Sequence, residues 1–362
     1  MEKKNPLFLP HDLIIQILLR LPVNSLIRFK CVCKSWFSLI SHDTEFANSN
    51  FELTFATHTP RIMLMLTPPP KTQSVDIELS LYTSASMNLN FLCPQSCFDI
   101  EIKGSCRGFI LLHCGACFYL WNPSIGRHKQ IPLSPNEHFI NFYGFGYDHS
   151  TDDYLVVSFS GDQIPNSDDV LTHLWLFSLR ANVWKEIACT THLPLYTNVS
   201  SLVRQVESFF NGAIHWLAFQ HDISDHVIVA FHLTERKLLD ILLPVDINYN
   251  SKGCGLWVFR GFLSLWFSGD HKVDIWVMEE YGVHSSWIKT LVLPIDAFPY
   301  LYPICCTKSG NIVASNGWIG LVKYNDKGEF LEQNSYDEDA RGSQMTLYTE
   351  SLLSLPNDSE QA

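Results

Sequence analysis

Residues 120–131 read LWNPSIGRHKQI: an apolar pair leads into a polar turn, and a second apolar strand follows. The same scheme returns four times farther along the chain. One aromatic residue of each copy serves as its anchor, namely Trp121, Phe177, Phe231, Trp276 and Tyr324. Successive anchors are 56, 54, 45 and 48 residues apart. Such a period indicates one β-rich domain built from repeated units.

Tight turns separate the strands within each unit. Asn211-Gly212 suits a type I′ hairpin, and Gly261 and Gly310 occupy comparable places. Four short strands per unit, with an aromatic side chain filling the gap between sheets, are typical of propeller blades, and the period lies near the kelch value of about 50. We expect a β-propeller-like (kelch-like) domain of six blades, one of them a degraded blade from residues 51–100. A large irregular β-sandwich or barrel is the alternative, because the sequence shows a period and not ring closure.

The chain begins differently, because from Leu9 to Ile40 the apolar residues recur at helical spacing. Pro10 and Pro22 bound a first helix over about 12–21, since proline fits a first helical turn and cannot continue a helix. Ser25 can cap a second helix that runs to about Val32, and a third carries Trp36. The prediction is a small three-helix domain over residues 1–48, a β domain over 49–355 and a flexible tail over 356–362.

The first helix is apolar almost all round. One stripe is formed by Leu13, Ile14, Ile17, Leu18 and Leu21, and a second by Ile15 and Leu19. A segment of about 40 residues cannot cover this much apolar surface by itself. The excess must therefore meet either the β domain or another protein.

Charge and composition exclude several functions. The formal charge is -12. Residues 331–362 alone carry seven acids and one Arg, whereas residues 1–50 hold six Lys/Arg against four Asp/Glu. This balance disfavours nucleic acid and favours a basic partner. No apolar run reaches about 20 residues, so we predict no membrane span. The eleven cysteines show no repeating framework, which predicts a reducing compartment, the cytoplasm or the nucleus.

Three segments near the N-terminus closely resemble the F-box in its plant form: residues 9–14 (LPHDLI), 17–23 (ILLRLPV) and 25–36 (SLIRFKCVCKSW). The remainder resembles the plant F-box-associated domain. That likeness rests on residues 121–124 (WNPS), 144–148 (GFGYD), 211–216 (NGAIHW), 275–283 (IWVMEEYGV) and 286–287 (SW). Residues 350–352 fit the closing strand of that family. The chain departs from the family pattern at Ile125, His232 and Asn50, where Thr, Asp and His are usual.

The resemblance implies a non-catalytic adaptor. F-box segments insert an apolar surface into a Skp-type adaptor, which a cullin scaffold holds, and the associated β domain presents a protein substrate for ubiquitination and proteasomal degradation. The residues that would divide between adaptor contact and internal core are Leu9, Pro10, Leu13, Ile14, Ile17, Leu18, Leu21, Pro22, Leu26, Phe29, Val32, Trp36, Leu39 and Ile40. Recognition of pollen-rejection ribonucleases and a kelch-like binding module outside any ligase are the alternatives.

Several residues invite other chemistry. Gly104–Gly108 imitates a nucleophile elbow around Cys106, but a strand and not a helix follows it. The candidate ligands for a zinc site are five cysteines and one histidine: Cys93, Cys97, Cys106, His113, Cys114 and Cys117. His215 lies on an apolar strand, and the acid pairs at 152–153, 168–169 and 279–280 are adjacent, so their side chains diverge on strands. We therefore predict no catalytic residue, no metal and no cofactor.

The substrate-binding residues are unknown from sequence. Specificity is expected in loops. The candidate segments are Gln163–Asp169, Thr191–Gln205, Gln220–Asp225, Gly269–Lys272 and Asp296–Pro303.

Overall fold

The computed structural model describes residues 9–67, 70–92, 100–115, 117–135, 142–163, 170–187, 196–198, 208–221, 223, 225–245, 253–269, 271–295, 301–317, 319–337, 340 and 342–355. Within these ranges the chain forms an N-terminal group of helices followed by a β-propeller. The helices are α1 (His11–Leu18), α2 (Val23–Phe29), α3 (Lys34–His42) and α4 (Thr44–Thr57).

Prolines set where the first two helices begin. Pro10 precedes α1 and Pro22 precedes α2, each with extended backbone. The expected cap at Ser25 is wrong, because α2 begins two residues before it and the Ser25 N–H donates to the Pro22 carbonyl. The α1 helix also ends earlier than expected, at Leu18, and a turn leads to Pro22. Cys33 caps α3, its sulfur accepting the Trp36 N–H at 3.5 Å.

The helical segment contains four helices rather than the expected three. Asp43 starts α4 by accepting the Phe46 N–H at 2.8 Å. The helix continues through residues 48–49, where the sequence placed the domain boundary. Its buried face includes Asn50 and Thr54 besides Phe46 and Phe51, so apolar periodicity alone could not reveal it.

The strands form six sheets, the blades. Blade 1 contains β1 (Arg61–Thr67), β2 (Lys71–Val75), β3 (Ser84–Met87) and the last strand, β25 (Gly342–Tyr348). Blade 2 contains β4 (Ile100–Cys106), β5 (Phe109–Cys114), β6 (Cys117–Asn122) and β7 (Arg127–Pro132). Blade 3 contains β8 (Phe142–Asp148), β9 (Asp153–Gln163), β10 (Val170–Ser178) and β11 (Val183–Glu186).

The remaining blades follow the same order. Blade 4 contains β12 (Tyr196–Asn198), β13 (Ser208–Phe210), β14 (Ala213–Gln220), β15 (Asp225–His232) and β16 (Lys237–Leu242). Blade 5 contains β17 (Gly253–Phe259), β18 (Phe262–Ser268), β19 (Lys272–Met278) and β20 (Trp287–Pro294), with a 3-10 turn at His284–Ser286. Blade 6 contains β21 (Tyr302–Cys306), β22 (Ile312–Ser315), β23 (Gly320–Tyr324) and β24 (Phe330–Ser335).

The six-bladed propeller predicted from the sequence is confirmed. The five anchors lie on β6, β10, β15, β19 and β23, which are the third strands of blades 2 to 6. The third strand of blade 1, β2, reads KTQSV and has no aromatic residue, which explains why this blade looked degraded. The closing strand is β25 and not residues 350–352, which follow it without strand structure.

Closure of the ring excludes the sandwich alternative. Strand β25 pairs with β1 through seven residue pairs, from Arg61 opposite Tyr348 to Thr67 opposite Gly342. Buried residues of blade 1 (Ile62, Val75, Leu81) then pack with blade 6 residues in one core, as happens between every other pair of adjacent blades. The blade 6 members of this core are Cys305, Val313 and Leu321.

Gln344 also ties β25 to blade 2. Its side-chain carbonyl accepts the Ile102 N–H at 2.7 Å, and its amide donates to the Ile100 carbonyl at 2.7 Å. The side chain is nearly buried, so these bonds satisfy backbone groups that water does not reach.

We expect Gln344→Leu to lower the free energy of unfolding by about 2–4 kcal/mol, because two buried backbone groups of β4 lose their partners. Gln333→Leu, at an exposed position of β24, should change it by less than about 0.5 kcal/mol. Urea denaturation of both variants measures this, and equal losses would show that the Gln344 bonds do not stabilise the ring.

Candidate functional site

The structure divides the fourteen predicted F-box residues into three groups by exposure. Leu18, Leu26 and Ile40 are buried. Partly buried are Ile14, Leu21, Phe29, Trp36 and Leu39. Exposed are Leu9, Pro10, Leu13, Ile17, Pro22 and Val32. The first two groups therefore form internal packing, and the third is available to a partner.

Two of the exposed apolar residues lie on one face of α1, and Leu9 lies just before the helix. Leu13 and Ile17 lie one turn apart, so they share a face, while Leu18 lies on the opposite side. Leu9, Leu13 and Ile17 are 53%, 50% and 51% exposed. Leu18 and Leu19, at 1% and 8%, are buried in a core that includes residues of blades 2 and 3. The sequence predicted that this helix contacts either the β domain or another protein. One side of the helix packs on the β domain, and the other side is exposed and open to a partner.

More apolar surface is exposed around α3. Val32 and Phe37 are 60% and 49% exposed. The predicted F-box residues include Trp36 but not its exposed neighbour Phe37. Trp36 instead packs against Phe29, with ring centroids 5.6 Å apart, and is partly buried. We use "the apolar row" for Leu9, Leu13 and Ile17.

The departures from the family pattern are accommodated locally. Asn50 is fully buried, and its amide donates to the Leu19 carbonyl at 2.9 Å. His232 accepts the Glu235 N–H through Nδ1 at 3.2 Å and so closes the turn after β15. Ile125 packs against the core shared by the helices and blades 2 and 3.

Cys106 lies in a strand–turn–strand unit. It ends β4, the turn at Arg107 and Gly108 has positive φ at both residues (48° and 82°), and β5 follows. This is a hairpin turn and not the strand-to-helix turn of a nucleophile elbow. Burial raises the pKa of the Cys106 thiol to about 12, so it is held as the neutral thiol.

Of the cysteines considered for zinc, Cys114 and Cys117 lie opposite each other on β5 and β6, but the described residues do not add the further ligands that a zinc site needs. Cys106 and Cys114 stand at opposite ends of the β4–β5 hairpin, because Cys106 pairs with Phe109 and Cys114 with Ile100. Cys93 and Cys97 lie outside the described residues. Among the residues described, no group of three or more His, Cys, Asp or Glu side chains has metal-binding geometry.

His215 is a fully buried residue that links two blades. Its Nδ1 must donate to the Ser208 carbonyl at 3.1 Å, because a carbonyl can only accept. Its Nε2 then accepts the hydroxyl of Tyr281, in blade 5, at 2.8 Å. Burial lowers the pKa of His215 to about 4, so the neutral ring is retained.

Of the acid pairs that the structure describes, one is hydrogen-bonded to neighbouring side chains and backbone, and the other is exposed to solvent. Asp152 accepts bonds from Tyr147 and Arg180, and Asp153 accepts bonds from Ser178 and the Arg180 N–H. Glu279 and Glu280 are exposed. The pair at 168–169 lies outside the described residues.

The candidate specificity segments connect strands whose described ends lie at one face of the ring. In blades 2 to 6 the turn between the first and second strands lies on one face, and the turn between the second and third strands lies on the other. Arg107, in a turn of the first kind, binds α4, so the helices occupy that face. The five candidate segments join strand ends at the opposite face, and most of their residues lie outside the described ranges.

Among the described helices, none has the length and apolar content to cross a lipid bilayer.

These features define a class: a propeller with a small helical domain on one face and an exposed apolar row on that domain. Comparison with known families agrees with this class. The family described as "F-box domain" matches residues 7–47, and the family described as "F-box associated beta propeller domain" matches residues 52–323. The chain belongs to the plant F-box proteins that carry an F-box-associated β-propeller domain. An F-box domain indicates binding to a Skp-type adaptor.

Curated relatives are similar over most of their length. The F-box/kelch-repeat protein At3g23880 of Arabidopsis thaliana is 29% identical over 349 residues, covering 90% of this chain and 89% of the relative. The F-box protein CPR1 of Arabidopsis thaliana is 27% identical over 331 residues, covering 83% and 77%. The F-box protein At1g30790 of the same plant is 26% identical over 314 residues, covering 80% and 76%.

Trp36→Ala should lower the free energy of unfolding of the helical domain by about 1–3 kcal/mol, below the range of about 3–5 kcal/mol for a fully buried Trp, because the ring is only partly buried. Phe37→Ala, at the exposed neighbouring position, should cost less than about 1 kcal/mol. Denaturation followed by helical circular dichroism measures both. A loss of about 4 kcal/mol or more for Trp36→Ala would contradict the partial burial.

The buried His215 should make stability fall in acid. The unfolded chain binds a proton near pH 6.5, whereas the folded ring resists it until about pH 4. Its contribution is therefore fully present above pH 6.5 and is lost as pH falls toward 4, by about 3 kcal/mol. Unfolding free energies at pH 7 and pH 4.5 should differ by about 2–3 kcal/mol more for the native chain than for His215→Gln. Equal differences would show that His215 does not cause the acid sensitivity.

Proposed function

We propose that this chain is the substrate-recognition subunit of an SCF-type ubiquitin ligase. In this role the helices bind a Skp-type adaptor and, through it, a cullin, while the propeller holds a protein substrate for ubiquitination and proteasomal degradation. The observation that carries the proposal is the apolar row, whose three large side chains, Leu9 just before α1 and Leu13 and Ile17 on it, are each about half exposed.

Apolar side chains exposed to water on a short helix raise the free energy of the free chain, and a partner that covers them removes this cost. Burying the remaining surface of each such side chain contributes on the order of 1 kcal/mol. The prolines that flank α1, Pro10 and Pro22, are exposed beside it. Val32 and Phe37 add further exposed apolar area at the start of α3. This composition fits an interface core rather than an ordinary solvent face.

The proposed role needs no catalytic residue in this chain. The adaptor side and the candidate specificity segments belong to opposite faces of one ring, so the propeller acts as a spacer between ligase and substrate. Ubiquitin transfer would then depend on how the substrate is held relative to the transferring enzyme. The cytoplasm and the nucleus, where such ligases act on soluble targets, are the proposed location.

The substrate class is proposed from charge alone. The residues after the F-box segment carry a net negative charge, and residues 331–362 contribute much of it. A basic surface on the substrate would associate faster with such a chain, and salt would slow this association.

We expect Leu13→Asp combined with Ile17→Asp to abolish co-purification with a Skp-type adaptor and to leave the propeller folded, because both side chains are exposed in the free chain. Leu21 is left unchanged because it packs against the core. The matched control is Leu79→Asp combined with Leu239→Asp, two exposed leucines of the propeller at 72% and 51%. Adaptor capture by the α1 variant at the native level would refute the proposed interface.

A further inference from the structure

We infer that the C-terminal segment Glu350–Leu355 is a strap that holds the F-box helices in one fixed orientation on the propeller, so that these residues position the substrate for the proposed ligase reaction. The inference rests on the proposed function for its role, but the strap itself is visible in contacts of the described residues.

The strap follows β25 and is almost entirely buried. Ser351, Leu352, Leu353 and Leu355 are 0%, 4%, 5% and 3% exposed, and only Ser354 is exposed. A segment after the last strand of a domain has no need of such burial for ring closure, because β25 already completes blade 1. Its three leucines instead belong to the core that contains α1, α2, α3, α4 and blades 2 and 3.

Polar contacts attach the strap to blade 2. The fully buried Asn122 places its amide nitrogen 2.9 Å from Ser351 Oγ, 3.0 Å from the Leu353 carbonyl and 3.2 Å from the Ser351 carbonyl. The Ser351 N–H donates to Ser124 Oγ at 3.1 Å. Gly108 allows this approach, since a Cβ there would lie 2.2 Å from Ser351 Oγ.

The first residue of the strap contacts the helices directly. Asn24, in α2, donates to the Glu350 carboxylate at 3.0 Å. The same carboxylate lies 3.8 Å from Nε of Arg61, the first residue of β1. Glu350 therefore joins the helical domain, the first strand of the ring and the segment that leaves the last strand.

A second contact holds α4 to the propeller. The Arg107 guanidinium lies between the rings of Phe51, in α4, and Tyr147, in blade 3, at 4.7 and 4.4 Å from their centroids. It also donates to Glu52 at 2.7 Å and to Asn48 at 2.9 Å. We call the strap together with Arg107 and Asn122 the joint.

A joint of this kind would make the helices and the propeller one rigid unit rather than two domains on a flexible tether. Domains joined by a linker move relative to one another unless a large apolar interface holds them. Here the interface is continuous with the propeller core and contains buried leucines from both ends of the chain. The distance and direction from adaptor to substrate would then be set by the joint.

The test compares Leu353→Asp with Ser354→Asp, which places the same charge one residue away at an exposed position. Amide hydrogen exchange is measured in the full chain. We expect Leu353→Asp to raise exchange in α2 and α4 by about tenfold or more while β18 and β22 stay within about twofold of the native chain, and Ser354→Asp to change neither. Native protection of the helices in Leu353→Asp would overturn the inference, as would equal loss of protection in blades 5 and 6.

A truncation covers the case in which Leu353→Asp fails to fold. A chain ending at Thr349 keeps all of β25 but lacks the strap, and a chain ending at Leu355 keeps both. Released helices are expected only in the shorter chain. Helices that remain protected without residues 350–355 would show that the strap does not hold them.

Orientation is read separately in a reconstituted ligase, through the set of this chain's own lysines that receive ubiquitin. With the adaptor present at a concentration that saturates both chains, the native chain should be modified on a restricted set of lysines, and Leu353→Asp on a broader one. An unchanged lysine pattern in a variant with released helices would refute the positioning role. If no variant, including the native chain, binds the adaptor or is modified, the proposed function fails, and the exchange data still decide whether the strap exists.

Discussion

The pairing of the last strand with the first is the constraint on which the structure depends. Seven residue pairs between β25 and β1 close the ring, and Gln344 extends this attachment to blade 2. Closure also determines where the chain ends meet. The helices lead into β1 and the strap leaves β25 on the same face, so a segment distant in sequence becomes part of the helical domain's support.

One short helix serves two surfaces because its residues turn through 100° per position. Leu18 and Leu19 enter the core with blades 2 and 3, whereas Leu13 and Ile17 remain in solvent. The helix is too short to be stable alone, so its inner side must be packed before its outer side can present an ordered row. Folding onto the propeller and display of the apolar row are thus two results of one packing arrangement.

The motifs that carried the family resemblance contain residues that join blades to one another or to the strap. Asn122 of WNPS binds the strap. Asp148 of GFGYD accepts bonds from Thr234 and Arg236 of the next blade. His215 of NGAIHW accepts the hydroxyl of Tyr281 of IWVMEEYGV. These residue types are needed because a buried polar group is stable only with its partner in place, and the partner lies about 60 to 230 positions away in the chain.

The sequence by itself determined the period and the helical start, and it predicted six blades, because helical spacing, aromatic anchors and turn residues are local signals. It also predicted a set of F-box residues, but not which of them face outward. That division, the fourth helix with its polar buried face, the true closing strand and the role of residues 350–355 were decided only by the tertiary structure. The physical reason is that exposure and hydrogen-bond partnership depend on elements brought together by ring closure, and no local pattern of residues records what packs against them.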